Sequence, residues 1–260
     1  MREKHFVFVE YLNRENMNWK KFLVNVLPVI MILGLASCFN DDDNDTFSVQ
    51  ADVYYINKLV DTQWVHGTTY YVYNIYGSQA ISSAKVTTPA SETINLEQAV
   101  AYYNVFVNSP DDEDYSTSAP EEGNFLFEVT SSKGEVLNVS DAQEFVNLEG
   151  AAIDSIKFDN SNSGMKIFWN EIDDADGYHI NMYDSSDNLI FESYSIAPDY
   201  TELLVSPGVS TGSWNTSPKE GQEYTVLLQT FVYDDDADET NYPYSIKEIS
   251  IRDTTVTWQF

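Results

Sequence analysis

The feature that most limits the fold of this chain is an alternation of apolar and polar residues with a period of two. The segment from Met165 to Trp169 places Met165, Ile167 and Trp169 on one face, and the segment opening at Tyr178 repeats the pattern. Short segments of this kind, rich in Val, Ile, Tyr, Phe and Thr, recur after Asp45 between clusters of Gly, Pro, Asn, Asp and Ser. The sequence therefore predicts an all-β chain built from β-sandwiches.

The expected strands fall into two sets that are separated near residue 150. Those of the first set are Phe47–Ile56, Thr68–Ile75, Ala84–Thr88, Thr93–Leu96, Tyr102–Val107, Asn124–Thr130 and Glu135–Val139. Those of the second are Met165–Trp169, Tyr178–Met182, Leu189–Ser195, Thr201–Val205, Glu223–Tyr233, Lys247–Ile251 and Thr254–Phe260. Ser132–Gly134 is expected to form a hairpin turn, and Asp141–Phe145 one helical turn.

The length of 260 residues allows two ordinary domains. The strand pattern changes around Leu148–Ala151, so we predict one sandwich domain over 47–150 and a second over 151–260. Two sandwiches of about 100 residues, each of the immunoglobulin-like kind, would fill this length.

The second half, over about residues 152–260, resembles a fibronectin type III domain. The residues that carry the resemblance are Trp169 at the end of the second strand, Asp174–Tyr178 opening the third, and Gly221–Val226 opening the sixth. In that family the Trp and Tyr belong to the core and a corner, so the resemblance implies stability rather than activity at these positions. The long Ser206–Glu220 connection departs from the family pattern.

The first 37 residues have the pattern of a secretory signal peptide. A basic start precedes an apolar run from Phe22 to Leu35, and a small-residue exit follows. A buried or membrane-spanning helix is the alternative, but a span needs about 20 apolar residues. Met17 opens a compact basic segment of its own, so we hypothesise that translation begins there.

Leu35-Ala36-Ser37-Cys38 resembles the lipobox of bacterial lipoproteins. In that family the Cys becomes the first residue after cleavage and carries acyl chains such as palmitate. The resemblance implies an outer-membrane lipoprotein that is held through acyl chains on Cys38, since two or more chains anchor a protein stably.

The segment 38–46 is expected to be an acidic tether after the lipidated Cys. Its charges are Asp41, Asp42, Asp43 and Asp45. One interpretation is a solvated spacer, because like charges repel and extend a chain. The cluster also resembles the export signal of surface-exposed lipoproteins in certain Gram-negative bacteria, which implies a position on the outer face of the outer membrane. Both interpretations can hold together.

The net charge argues against nucleic acid as a partner. Thirteen Lys and Arg stand against 42 Asp and Glu, which gives −29. Phosphate binding needs basic side chains to release counterions. The single Cys excludes an internal disulfide framework and a thiolate metal cluster.

The sequence does not predict an enzyme. It contains no HExxH, no paired-His spacing and no Walker-type Gly loop. Gly208–Gly212 matches the G-x-S-x-G pattern of a nucleophile elbow, but no His follows Ser210, and the surrounding residues indicate a loop.

Calcium is the one candidate cofactor. The better candidate site is the acidic run of Asp234, Asp235, Asp236, Asp238 and Glu239. Adjacent carboxylates can supply several of the six to eight oxygen ligands that Ca²⁺ takes. A second cluster lies at Asp173–Asp176, and solvated loop charge is the alternative for both.

Aromatic residues suggest a binding face. Tyr70, Tyr71, Tyr73 and Tyr76 put rings on both faces of one strand, and Trp64 precedes them. If one face of the sheet meets water, these rings form an exposed platform suited to a protein interface or to sugar stacking. The alternative is a strand that its neighbours cover.

Together these features predict a noncatalytic, lipid-anchored surface protein that presents β-sandwich domains for ligand binding. The anchor, the tandem sandwiches and the aromatic content are similar to accessory glycan-binding lipoproteins of starch-utilisation-type uptake systems. Glycan capture is therefore one expected role. The alternative is a structural or adhesive component of a surface assembly with protein partners.

Overall fold

The structure, a computed structural model, describes residues 46–74, 79–99, 105–235, 237 and 245–260. Within these ranges the chain is nearly all β, and the one helical element is a short 3-10 turn over Asp112–Asp114. The strands are β1 (Val49–Val60), β2 (Gln63–Asn74), β3 (Ile81–Thr87), β4 (Thr93–Gln98), β5 (Val105–Asn108), β6 (Gly123–Ser131), β7 (Val136–Gln143), β8 (Ile153–Asp159), β9 (Gly164–Trp169), β10 (Gly177–Tyr183), β11 (Leu189–Ser193), β12 (Glu202–Val205), β13 (Gly212–Trp214), β14 (Glu223–Tyr233) and β15 (Ile246–Thr257). The prediction of an all-β chain with sandwich-like sheets is confirmed.

The second half of the chain is a two-sheet sandwich. A three-stranded sheet in the order β12-β9-β8 faces the strands β13-β11-β10-β14-β15. The predicted apolar face of β9, with Met165, Ile167 and Trp169, packs inward. The rings of Trp169 and Tyr178 meet edge to face at 5.6 Å between centroids, and the Tyr178 hydroxyl accepts a hydrogen bond from the Ile172 N–H at 2.8 Å. Both aromatic residues therefore stabilise the core, as the fibronectin type III resemblance implies.

The long connection that departs from the family pattern contains a strand of its own. Within it, β13 pairs with the edge of β11, which makes β14 the seventh strand of this half rather than the sixth. Gly212 permits this pairing, because a Cβ there would overlap the carbonyl oxygen of Glu192 and lie 2.6 Å from the Phe191 ring. The connection is thus an ordered part of the sheet.

The first half is a rolled sheet in the order β1-β2-β5-β4-β3-β6-β7. Its last strand returns against its first, where the Asp141 carboxylate accepts the Val53 N–H at 2.7 Å and the Gln143 amide donates to the Val53 carbonyl. The apolar core inside the roll includes Val72 and Phe125. These side-chain bonds close the roll where no backbone ladder joins the two strands.

Two local expectations turn out differently. The helical turn predicted from Asp141 is wrong, because Asp141 pairs with Phe125 across β6 and β7 and is held extended. The two strands expected at the end of the chain form one continuous strand, β15, since all of it pairs with β14. The hairpin turn before β7 is confirmed, with Gly134 at φ +86°.

The two halves share one sheet. β1 pairs in parallel with β15, from Tyr55 opposite Glu248 to Lys58 opposite Ile251. Twelve strands therefore form a continuous sheet through both halves. The division into domains at residue 150 stays a prediction, and the junction it crosses is a hydrogen-bonded strand pair.

Candidate functional site

The tyrosines of β2 do not form an exposed platform. Tyr70, Tyr71 and Tyr73 are only 8%, 6% and 4% exposed. β2 lies between β1 and β5, so both its edges are paired. Tyr70 packs into the core of the roll, and the rings of Tyr71 and Tyr73 pack together on the opposite face at 5.6 Å. The expectation of exposure is wrong for these three residues, because neighbouring groups cover both faces of the strand. Tyr76 lies outside the described residues.

Trp64 belongs to the junction rather than to a platform. The side chain is half-buried, and the Arg252 guanidinium lies 5.2 Å from its ring centroid. A Cβ on Gly150 would come within 2.7 Å of the same ring. The indole therefore packs between the two halves rather than beside the tyrosines of β2.

The acidic loop after β14 is described only in part. The Asp234 N–H bonds the Ser245 carbonyl at 3.0 Å, and the Asp235 carboxylate pairs with Lys247 at 3.3 Å. Asp236, Asp238 and Glu239 lie outside the described residues. In the part of the chain that the structure covers, no three His, Cys, Asp or Glu side chains are placed to hold a metal ion. Calcium binding by this loop stays a prediction.

The other acidic cluster has a structural role at one of its residues. The Asp176 carboxylate accepts the Tyr233 N–H at 2.8 Å and so ties the turn before β10 to the end of β14. Asp173 and Asp174 line an open cleft beside the junction.

The predicted lipid attachment site and tether lie outside the described residues. This applies to Cys38, Asp41, Asp42, Asp43 and Asp45. Among the residues that are described, no helix is long and apolar enough to cross a membrane.

Ser210 is not part of a nucleophile elbow. It lies in the loop between β12 and β13, and its hydroxyl is 3.5 Å from the Tyr194 hydroxyl. His179 is fully buried on β10, with Nε2 3.8 Å from Glu192, and burial lowers the pKa of His179 to about 4. A neutral, enclosed imidazole of this kind packs and bonds within the sheet.

A buried polar network at the junction is a feature that the sequence did not reveal. The Glu248 carboxylate accepts the backbone N–H groups of Leu148 at 2.6 Å, Val146 at 3.0 Å and Asn147 at 3.1 Å. It also accepts a short hydrogen bond from the Asn57 side-chain amide. The loss of water on burial raises the pKa of Glu248, and the four donors act in the opposite direction. One carboxylate thus holds the connecting segment against both halves.

The same network continues through neighbouring polar groups. His66 Nδ1 donates to the Asn57 side-chain oxygen at 2.6 Å, and Asn57 also reaches the Ser250 hydroxyl at 3.0 Å. Ser250 in turn donates to the Leu148 carbonyl at 2.5 Å. In the sequence, Glu248 and Ser250 alternate with isoleucines and look like an ordinary solvent-facing row.

Asp52 of β1 is influenced electrostatically by two carboxylates from other elements, Asp141 and Asp234. Asp52 of β1 is almost fully buried, and burial raises its pKa well above the usual range. The neighbouring charges of Asp141 and Asp234 raise it further, whereas backbone hydrogen bonds from Ile246 and Val53 lower it. Burial and the neighbouring charges favour the protonated form of Asp52 more than in an exposed aspartate, and its backbone partners Val53 and Ile246 belong to different halves.

Two open clefts flank the junction and share Asp235 and Lys247. Their volumes are about 750 and 690 Å³. The acids that line the first are Glu149, Glu171, Asp173, Asp174 and Asp235, and those that line the second are Glu122, Asp141, Glu144, Asp234 and Asp235. Both clefts are strongly acidic, and Lys247 is the only basic residue among the described residues that line them.

A third cleft differs from these in chemistry and position. It has a volume of about 580 Å³ and lies at the end of the second half where β8 turns into β9. The lining residues are Ser161, Asn162, Ser163, Ser206, Pro207, Gly208, Val209, Pro218, Trp258 and Phe260. None of these side chains carries a charge. We call it the distal cleft.

No protein-family model matches the chain, and no curated protein matches it. Among solved structures, the chain is similar to a two-domain fibronectin type III segment of chicken tenascin, at 9% identity and a TM-score of 0.26, over 82% of this chain and 98% of that one. The chicken CNTN1 FN1–FN3 domains match at 12% identity and a TM-score of 0.30, over 80% of this chain and 64% of that one. A tetra-tandem repeat from the extending region of a large adhesion protein matches at 12% identity and a TM-score of 0.22, over 81% of this chain and half of that one. These TM-scores are too low to show a shared fold, and the sandwich is evident from the strand order and the two sheets of the chain itself.

Proposed function

We propose that this protein is a noncatalytic surface lipoprotein whose β-sandwich unit serves as a structural or adhesive module. Cys38, at the end of the lipobox-like Leu35–Cys38, would carry the acyl chains that anchor it in the outer membrane. The acidic run Asp41–Asp45 would then extend the chain from the membrane and direct it to the cell surface.

The observation that carries this proposal is the continuous twelve-stranded sheet. Tandem domains joined by a bare linker move relative to each other by default. Here the parallel pair of β1 and β15 and the Glu248 network bridge the two halves instead. A unit joined in this way suits a protein that must hold a contact surface at a distance from its anchor.

Anchoring and exposure can be tested together in a Gram-negative host. Wild type, Cys38→Ala and the matched control Ser37→Ala are expressed as full chains and compared by detergent-phase partition and by protease treatment of intact cells. We expect wild type and Ser37→Ala in the detergent phase and accessible to protease, and Cys38→Ala in the aqueous phase.

The two readouts separate the parts of the proposal. Wild type in the aqueous phase would reject the lipid anchor. Wild type in the detergent phase but protected in intact cells would reject surface exposure. If the adhesive role is correct, the protein immobilised on a surface retains cells or a surface protein, and the absence of both would overturn that role.

Glycan capture is a second candidate function. The tyrosines of β2 do not support it, because they are buried. The uncharged distal cleft does support it, because neutral sugars need hydrogen-bonding groups and a partly exposed ring rather than charge.

A further inference from the structure

The distal cleft has an uncharged lining in a chain with a net charge of −29. None of the described side chains that line it is a carboxylate, the kind of ligand that divalent cations prefer. None of them is Lys or Arg, which would suit a phosphate or a sulfate. Its volume of about 580 Å³ falls within the range of small-ligand sites. The chemistry of the lining therefore points to a neutral ligand.

The polar groups of the cleft can bond a hydroxyl-rich ligand. Ser161, Asn162 and Ser163 are exposed in the turn between β8 and β9. The Asn162 amide nitrogen donates to Asp159 at 2.9 Å, which leaves the amide oxygen as an acceptor. Serine hydroxyls both donate and accept, so this turn offers the mixed hydrogen bonding that a sugar requires.

An aromatic wall lies beside these groups. Phe260 is half-buried, and its ring packs edge to face on the buried Trp258 at 6.2 Å and on Phe158 at 5.8 Å. These contacts fix the ring while part of it faces the cleft. A fixed ring next to hydroxyl groups fits the two faces of a pyranose, one apolar and one polar.

The two loops that form the cleft are tied together. The Ser206 hydroxyl donates to the Asn162 carbonyl at 2.6 Å and accepts the Gly208 N–H at 3.2 Å. A Cβ on Gly164 would lie 2.6 Å from Ser206, so the backbones are in close contact. Loops that are already ordered cost less entropy to bind a ligand.

The cleft also lies far from the point where the described chain begins. β1 and β15 run in the same direction, with Tyr55 opposite Glu248. The start of β1 at Val49 lies six residues before this pair, and the end of β15 at Thr257 lies nine residues after it. At about 3.3 Å per residue, the strands carry the cleft about 50 Å from the start of β1. On an N-terminally anchored protein this end faces outward.

We propose that the distal cleft binds a neutral oligosaccharide, with the Ser161–Ser163 turn bonding sugar hydroxyls and Phe260 stacking on a sugar face. The inference rests on the proposed surface function for its biological setting, but binding itself is measured on the purified protein. A failure of anchoring and a failure of binding are therefore separate results.

The test uses the full-length protein purified in detergent and titrated by calorimetry. The probes are linear gluco-, manno-, galacto- and xylo-oligosaccharides, with an oligogalacturonate as the charged comparison. We expect saturable binding of at least one neutral probe and none of the oligogalacturonate. Phe260→Ala should weaken binding about tenfold or more, in line with the loss of one aromatic stacking contact.

Matched variants keep the outcome interpretable. Ser161→Ala combined with Ser163→Ala changes only exposed side chains, so the fold should persist while affinity falls about tenfold. Tyr200→Ala removes an aromatic ring that is 57% exposed and lies outside the cleft lining, and it should leave binding unchanged. Thermal melts establish that each variant is folded.

Three outcomes would overturn the proposal. One is the absence of binding to any neutral probe, and another is binding that the cleft variants do not weaken. The third is self-association in sedimentation experiments that Phe260→Ala abolishes, because the cleft would then receive a second copy of the chain.

Discussion

Glu248→Gln should destabilise the junction although the two side chains have the same shape. One oxygen of Glu248 accepts from Leu148 and Asn57, and the other accepts from Val146 and Asn147. A glutamine replaces one of these oxygens by an NH₂ group. In either orientation of the glutamine amide, its NH₂ group faces two N–H donors and cannot accept a hydrogen bond from them.

The less costly orientation sets the size of the effect. If the NH₂ replaces the oxygen near Leu148, the buried Leu148 N–H and the Asn57 amide lose their acceptor, at about 1–3 kcal/mol each. If it replaces the other oxygen, water can reach the exposed Val146 and Asn147, and the cost is about 0.5–1.5 kcal/mol for each bond. Relief of carboxylate burial offsets part of this. We therefore expect a net loss of about 1–2 kcal/mol for Glu248→Gln, and about 3 kcal/mol for Glu248→Ala.

Denaturant unfolding and amide exchange at Val146–Leu148 measure the effect. Glu220→Gln, which neutralises an exposed acid, is the control and should change the free energy of unfolding by less than about 0.5 kcal/mol. Exchange at the three amides should quicken in both Glu248 variants and in no other. If Glu248→Gln behaves like Glu220→Gln in both assays, the carboxylate does not hold the junction.

Asp52, Gly212 and Tyr71 provide three further tests of the structure. Asp52→Asn should stabilise the fold at neutral pH. The folded-state pKa of Asp52 is raised, so its protonated form contributes stability at low pH that is lost as pH rises through the folded pKa. Thermal melts across pH should show the stability advantage of Asp52→Asn over wild type disappearing as the pH falls toward the ordinary pKa of an aspartate. A stability advantage that grows on acidification would contradict this prediction. Gly212→Ala should cost about 1–3 kcal/mol in denaturant unfolding, because its Cβ would overlap the Glu192 carbonyl, and an unchanged midpoint would show that β13 is not packed as described. Tyr71→Ala should cost about 3–5 kcal/mol and leave oligosaccharide affinity unchanged, whereas a folded variant that loses affinity would restore β2 as a binding strand.

The parts of the fold that depend on local pattern could be predicted from the sequence. The period-two face of Met165 to Trp169 becomes the core face of β9, because a half-buried strand must alternate. The turn at Gly134 follows from a residue that accepts positive φ. The burial of Tyr70 and Tyr71 could not be predicted, since an aromatic run looks the same whether one face or both are covered.

Contacts between distant parts of the chain left no local signal. Nothing near Tyr55 or Glu248 indicates that the two pair, because parallel neighbours need no turn between them. Glu248 itself sits in an alternating row that suits a solvent-facing strand. Its burial depends on β1 and on the segment before Gly150, and each of these lies about a hundred or more residues away in sequence.

The absence of a connecting turn also explains why charge is buried at the junction. In a hairpin the turn sets the register, but a parallel pair such as β1 and β15 must set it by side chains. A slip of one residue would remove Asn57 from Glu248 and cost the carboxylate one of its four donors, and losing a hydrogen bond to a charged group costs about 1.5–3 kcal/mol. We infer that the Glu248 network selects one register of β1 against β15. This register sets the distance between the start of β1 and the distal cleft.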